Sequence, residues 1–397
     1  MGDIFGEGKA RTMATFADVC CGIGGFHVAL SRLGLQCVFA CDIDSECRAV
    51  YKENFGIEPA SDLTKIDAAD VPPFDVLCAG FPCQPFSKAG AQAGFGDERG
   101  NIFFELCRFI VHHRPTHLLL ENVRNFATHD KGNTWAVVRQ RLTAMGYATH
   151  DRPTILNARQ FGVPQSRERV FILCTRGDAI APLGVLPPPS ISASLTDLVD
   201  TTAVGVLSKK QAVAAEVWDD FLAVLAALGV AVPRFPVWTD TWDGDVPPAF
   251  YAKYAGWIDK NRAFYEAHRG PLEQWLVRSR ARPEWLGALR KFEWQVPGSE
   301  RRTMREVLWS ARGSGVRVKA ADYAPTLVAM ASMIPVYGPL HRELTPRECA
   351  RLQSFPDDFV LHPKDKVAYK QLGNAVNVAV VERCARFLLH GEPFTDQ

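Results

Sequence analysis

Five short apolar runs separated by segments of helical spacing predict an α/β protein built on a doubly wound, mostly parallel sheet. FADV (16–19), CVFACD (37–42), DVLCAG (75–80), HLLLEN (117–122) and RVFILC (169–174) read as buried strands. Between them, FHVALSRLG (26–34) and FFELCRFIVHH (103–113) place apolar residues on one helical face. Alternating βα units imply a parallel sheet covered on both faces. Ligands of such sheets collect at the carboxyl ends of the strands. Asp42 ends the second run, Cys83 follows the third, and Glu121 lies at the end of the fourth.

The 397 residues suffice for two domains with ample core. A composition of 47 % hydrophobic and 22 % charged residues is that of a soluble globular enzyme. The net charge of +1 argues against a uniformly cationic coat but leaves room for a basic patch. The 11 cysteines include no CxxC pair, which fits a reduced cytoplasmic protein without a disulfide or zinc framework. MGDIFGEGKARTMATF has no apolar signal core, and Gly6 stands where a myristoylation signal needs Ser or Thr. The apolar run from Phe221 to Val232 is too short to cross a membrane and stops at Pro233.

Composition shifts near residue 180. LPPPS (186–190) reads as a linker, and eight of the nine Trp then fall between Trp218 and Trp309. Residues 260–319 hold 14 Lys and Arg against 6 Asp and Glu, a local charge of +8. A separate nucleic-acid-binding domain and a solvated helical domain with a tryptophan core both satisfy these facts. Farther on, TPRECARLQSF (345–355) carries a helix-start signature: Thr345 as cap, Pro346 at the first position, Glu348 at the third. VNVAVVERCARFLLH (376–390) is a second amphipathic helix, and QLGNAVNV (371–378) reads as the turn before it. The C-terminus is expected to pack back on the first domain.

The candidate chemistry lies at the strand ends. In FADVCCGIGGFHVAL (16–30), Gly22, Gly24 and Gly25 suit a strand–turn–helix whose backbone approaches a ligand. Asp42, about twenty residues on, stands where an acid commonly holds the ribose of an adenosyl cofactor; it could equally cap the next helix. In GFPCQPFS (80–87), Pro82 and Pro85 flank Cys83 and fix the thiol at the sheet edge, as a nucleophile requires. The alternative is an inert buried cysteine. SKAGAQAGFGDERGN (87–101) suits a loop that closes over a substrate. Glu121 is either a second catalytic group facing the same crevice or a helix cap. Arg167 and Arg169, on one face of a strand with Glu168 on the other, suit an anion or polarised carbonyl, or surface ion pairs.

Taken in order, DVCCGIGG (18–25), CDID (41–44), GFPCQPFS with the following loop and GNIFFEL, ENV (121–123), QSRER (165–169), and RELTPRECARLQSFPDDF with YKQLGNAV (369–376) resemble the C5-cytosine-specific DNA methyltransferases of the bacterial modification type. The resemblance covers roughly residues 15–175 and 325–390, and the nucleophile and TPRECARLQSFPD motifs are its most specific parts. It implies a Rossmann-like S-adenosylmethionine-dependent catalytic domain at 1–180. A smaller inserted target-recognition domain follows at 181–325, closed by Thr326-Leu327, and 326–397 returns to complete the cofactor pocket. The implied reaction moves a methyl group from S-adenosyl-L-methionine to C5 of cytosine within a specific double-stranded DNA sequence, leaving S-adenosyl-L-homocysteine. The target base leaves the duplex and Cys83 attacks its C6. Glu121 contacts N3 and the exocyclic amine, and Arg167 and Arg169 hold the carbonyl oxygen and position the loop.

The same resemblance assigns the cofactor to Cys20, Ile23, Gly24 and Gly25 of the turn, Asp42 at the ribose, and Ile43 and Leu63 flanking adenine. Asp62 falls near the adenine amine, Pro82 and Ile102 on the methionine side, and Asn374, Ala375 and Val376 at the C-terminal segment. Gln84, Ser87, Arg99 and Thr326 fall to DNA, and the +8 stretch to phosphates and guanines. No metal and no membrane are implied. A monomer is expected in the bacterial cytoplasm on the nucleoid; the sequence is silent on whether a cognate restriction endonuclease acts on the same site. Two departures stand out. Cys20 replaces a common Phe, and Asp42-Ile43 replaces Glu followed often by Trp. Each lost aromatic contact costs about 0.5–1.5 kcal/mol, so weaker cofactor binding is expected.

Three other readings compete. A tRNA cytosine methyltransferase keeps the fold and the PCQP loop, though the sizeable insertion favours duplex DNA. A catalytically silent DNA-binding relative is hard to square with Cys83, Glu121, Arg167 and Arg169 occurring together. An NAD dehydrogenase rests on the glycine turn alone and leaves GFPCQPFS unexplained.

Overall fold

Apolar runs buried on both faces become the central strands. The computed structural model describes residues 13–82, 102–189, 193–297 and 303–394, in two units: Met1–Ser192 with Ala350–Gln397, and Ala193–Cys349. In the first unit, β1 (Thr15–Val19) leads through a glycine turn to α1 (Gly25–Arg32), then β2 (Gln36–Cys41), α2 (Ser45–Phe55) and β3 (Val76–Gly80). After α3 (Ile102–His113) come β4 (His117–Val123), α4 (Asn133–Ala144), β5 (Tyr147–Thr149), β6 (Thr154–Asn157), the two-residue β7 (Gln165–Ser166) and β8 (Glu168–Arg176). The sheet order is β2-β1-β3-β4-β8-β5, with β6 also on β8.

The half that carries the strand-end residues is parallel: β1 pairs in parallel with β2 and β3, and β3 with β4. The far half is not, because β8 runs antiparallel to β4, β5 and β6. The run RVFILC is buried whichever way it points, so its composition does not encode direction. Leu118, Leu119 and Leu120 are fully buried, as are Phe103, Leu106 and Phe109 of α3. Truncating one such leucine to alanine costs about 2–5 kcal/mol.

In the second unit, α5 (Lys209–Ala227), β9 (Val237–Trp238), α6 (Pro248–Ala267) and α7 (Arg269–Arg280) precede β10 (Lys291–Trp294), β11 (Val307–Arg312), β12 (Gly315–Ala320), β13 (Ala324–Pro325), β14 (Val336–Tyr337) and β15 (Arg342–Glu343). Six of these strands form a sheet in the order β15-β14-β11-β12-β10-β9. Trp218, Trp275, Trp285 and Trp309 are fully buried, and Trp218 stacks on Phe292 at 4.4 Å. Most of the tryptophan excess is therefore core.

Part of the basic stretch is also paired. Arg269 pairs with Glu266, Arg280 with Asp243, Arg282 with Glu216, Arg290 with Asp240 and Arg317 with Glu293. The local charge overstates the unpaired cations, because Asp243, Glu216 and Asp240 lie outside the window counted.

The second unit runs to Cys349, and β14 and β15 complete its sheet through β11. Within it, Arg342 and Glu348 form a fully buried two-pronged pair at 2.7 and 2.9 Å. Glu348 also closes the cap of α8 (Pro346–Leu352): its carboxylate accepts the Thr345 N–H at 2.7 Å, and its own N–H donates to Thr345 Oγ1. The chain then returns to the first unit, where α9 (Asp365–Asn374) and α10 (Val378–His390) follow, and α10 packs against α1. QLGN, read as a turn, is the last part of α9, and the turn itself is confined to 375–377.

Candidate active site

Strand register brings Glu121 beside the approach to Cys83. In the parallel β3–β4 ladder Gly80 pairs with Glu121, so the last residue of β3 and the acid are neighbours. Glu121 caps no helix. Its Oε1 lies 3.1 Å from Arg169 Nε, with 11 % of the acid side chain and 17 % of the arginine side chain exposed. Burial raises the carboxyl above the usual range, against the pull of the Arg169 and Arg167 charges. The partly open pair can present a proton donor and a guanidinium to a ligand at the strand ends. Glu168 points elsewhere, to Arg124 at 2.9 Å.

Arg167 is placed differently. It is fully buried, and its Nη2 donates to the carbonyls of Gly373 at 3.0 Å and Ala375 at 2.7 Å. It clamps the end of α9 and the residue that follows it rather than lining an opening, which separates the two arginines that the sequence pattern groups together.

The glycine turn runs from β1 into α1. Cys20, Gly22 and Gly24 all have positive φ (52°, 53° and 90°). A Cβ on Gly22 would meet nothing, whereas one on Gly24 would overlap Phe55, and one on Gly25 would sit 2.6 Å from Val376 Cγ2. Gly24 and Gly25 are thus required by the protein's own packing, and Gly22 by backbone conformation. The side chain of Asp42 accepts the Gly22 N–H at 2.7 Å and the Asp44 N–H at 2.8 Å. The cap of α2 is Asp44, leaving Asp42 to brace the turn. Burial raises Asp42, and these two N–H groups oppose the rise.

The chain from 14 to 390 matches the family described as C-5 cytosine-specific DNA methylase. It belongs to that family. Among its relatives, Type II methyltransferase M.AluI of Cellulosimicrobium cellulans is 31 % identical, over 95 % of this chain and 92 % of the relative. M.HhaI of Haemophilus parahaemolyticus is 30 % identical, over 95 % and 94 %. A solved putative DNA modification methyltransferase from an E. coli prophage shares the fold with a TM-score of 0.55 at 19 % identity, covering 93 % of this chain and 96 % of that one. The S. pombe Dnmt2 methyltransferase gives 0.51 at 17 %, covering 96 % and 99 %.

In this C-5 cytosine methylase, Cys83, Gln84, Ser87 and Arg99 lie outside the described residues. Pro82, just before them, is exposed, and Ile102 is half-buried at the start of α3. Ile23 is buried, and Ile43 is 80 % exposed beside Asp42. Leu63 is buried in the core; Asp62 caps the short turn it begins, accepting from Thr64. Asn374 is exposed, while Ala375 and Val376 are buried. Thr326 is half-buried in the second unit. The described residues hold no cluster of three or more groups suited to a metal, and no helix long and apolar enough to cross a membrane.

Two residues of the methylase escaped the sequence reading. Asn122 is buried and donates to Phe81 O at 2.9 Å, tying β4 to the segment that enters Cys83. Gln353 is buried and donates to Leu372 O at 2.8 Å, holding the end of α9. Asparagine inside a strand and glutamine at a helix end were the available signals.

Proposed function

We propose that this methylase transfers a methyl group from S-adenosylmethionine to C5 of a cytosine flipped out of double-stranded DNA, through a covalent bond between Cys83 and C6. The observation that carries the proposal is the partly open Glu121–Arg169 pair, set across the ladder from the strand that runs into Cys83.

The turn fits an adenosyl ligand. Gly22 is open on its Cβ side, each oxygen of Asp42 keeps a lone pair for a ribose hydroxyl, and Ile43 offers exposed apolar surface. Cys20, Ile23, Gly24 and Gly25 would line the turn, Asp62 and Leu63 the adenine end, and Pro82, Ile102, Asn374, Ala375 and Val376 the methionine end. When bound, S-adenosylmethionine supplies a methyl group activated on a sulfonium.

The chain's own residues make C5 able to accept it. The Cys83 thiolate adds to C6, and the electron pair of the C5–C6 double bond moves through the ring toward N3. Glu121, whose burial favours its protonated form, hands its proton to N3 and leaves an enamine nucleophilic at C5. Arg169 steadies the carboxylate that remains and the ring carbonyl oxygen. Arg167 positions the 373–375 segment. After methylation a base takes the C5 proton, the electron pair re-forms the C5–C6 double bond and expels the Cys83 thiolate, and N3 returns its proton to Glu121.

The second unit would select the sequence, with Thr326, Gln84, Ser87 and Arg99 also on DNA. Relatives named Type II methyltransferases support a role in a bacterial restriction–modification pair; the chain would act as a monomer in the cytoplasm. A duplex with 5-fluorocytosine at the target position tests the reaction: fluorine replaces the proton whose loss frees Cys83, so a covalent complex should accumulate. Labelled methyl transfer to tRNA but not to duplex DNA would overturn the proposal.

A further inference from the structure

Helix α6 leaves an aromatic cluster that the tryptophan-rich core of the second unit does not use. Trp238 lies 5.8 Å from Phe250 and 5.3 Å from Tyr254, and those two rings are 4.8 Å apart. All three are half-buried and none belongs to the core cluster. Lysines sit over the rings: Lys291 Nζ is 4.4 Å from the Trp238 centroid, and Lys253 Nζ is 5.1 Å from that of Tyr254. Farther along the helix, Lys260 lies 5.4 Å from Trp257, which is 41 % exposed.

These lysines differ from the arginines around them. Arg280, Arg290 and Arg317 are held by Asp243, Asp240 and Glu293, whereas Lys253, Lys260 and Lys291 form no ion pair among the described residues. Of the acids on α6, Asp259 accepts from Tyr251 and Glu266 holds Arg269. A cation over an exposed ring is held by only about 0.5–1 kcal/mol, so it can turn to a passing anion at little cost. Protein-binding surfaces enrich aromatics but deplete lysine. Aromatic faces interleaved with lysine suit a nucleic-acid backbone, whose phosphates meet the cations and whose sugars offer C–H faces to the rings.

We propose that this cluster clamps the DNA backbone beside the methylated sequence, with Lys253 and Lys291 each meeting a phosphate and the Trp238, Phe250 and Tyr254 rings packing on deoxyribose. The proposal rests on the reading of this chain as a DNA methyltransferase and adds a contact outside the bases that are read and the base that reacts.

The test compares the full chain with Lys253→Ala/Lys291→Ala, binding a duplex cut back to the methylated sequence and one extended on both sides, over a salt series. On the extended duplex the slope of log affinity against log salt should fall by about 1.8 in the variant, at about 0.9 for each phosphate released. On the short duplex the two proteins should match in slope and in methylation. Lys253→Arg/Lys291→Arg should restore the slope. An unchanged slope on the extended duplex, with wild-type methylation intact, would overturn the clamp alone, as would equal losses on both duplexes. A wild-type chain that neither binds nor methylates duplex DNA would overturn the underlying reading as well.

Discussion

Arg169 Nε stands 3.1 Å from Glu121 Oε1, yet burial still lifts the Glu121 carboxyl above the ordinary range. Burial thus works against ionisation of the acid while the neighbouring cation favours it. Because the folded state holds this proton more tightly than the unfolded chain, the group's contribution to stability is present at low pH and is lost as pH rises through its raised folded value. Turnover that needs the protonated acid should decline over the same window. Glu121→Gln should lower kcat by about 10²–10³-fold with little change in KM for DNA, and flatten that limb of the pH–rate profile.

Arg167 tests a different role. Its buried guanidinium satisfies two carbonyls of the 373–375 segment. Arg167→Ala should leave the Gly373 carbonyl unpaired, at about 1–3 kcal/mol, and the Ala375 carbonyl with only a long 3.5 Å bond from Gln353. Thermal melting should show the loss, and calorimetry should show weaker S-adenosylmethionine binding. Arg167→Lys, which lacks the fork, should recover only part of either. Full cofactor affinity in Arg167→Ala would contradict the clamp.

Ile43 is 80 % exposed beside Asp42. An aromatic ring there should add about 0.5–1.5 kcal/mol of contact with adenine. Ile43→Trp is expected to tighten cofactor binding by roughly 2–10-fold. Wild-type binding already in the submicromolar range would count against a weakened adenine site.

The Arg342–Glu348 pair should govern acid stability. Burial opposes ionisation of Glu348, but the Arg342 hydrogen bonds and the Thr345 and Asp200 N–H groups outweigh it and hold the carboxyl below its usual value. The stabilisation is present above the unfolded pKa and is lost as pH falls through the depressed folded one. Glu348→Ala should cost about 3–5 kcal/mol at neutral pH by leaving Arg342 buried without its carboxylate, and the difference from wild type should shrink in acid.

The sequence was most informative where one residue type has one use. The five long strands, the Thr345–Glu348 cap and the strand-end position of Glu121 were all legible, because burial and capping leave local patterns. The direction of β8 was not, and β5 and β6, of three and four residues, are too short to show periodicity. Gly373 suggested a turn, but α9 continues through it, with its carbonyl held by Arg167 from far away in sequence. Composition counted the arginines of 260–319 without their partners Asp240, Asp243 and Glu216. Asn122 and Gln353 act on backbone carbonyls, contacts that no motif spacing reveals.

The most direct test is to express the chain, beside Cys83→Ser, in a host whose DNA lacks cytosine methylation, and to sequence that DNA after bisulfite conversion. Protected cytosines in one short sequence context, absent with Cys83→Ser, are the expected result. Complete conversion with the wild-type chain, or protection that survives Cys83→Ser, would contradict the account.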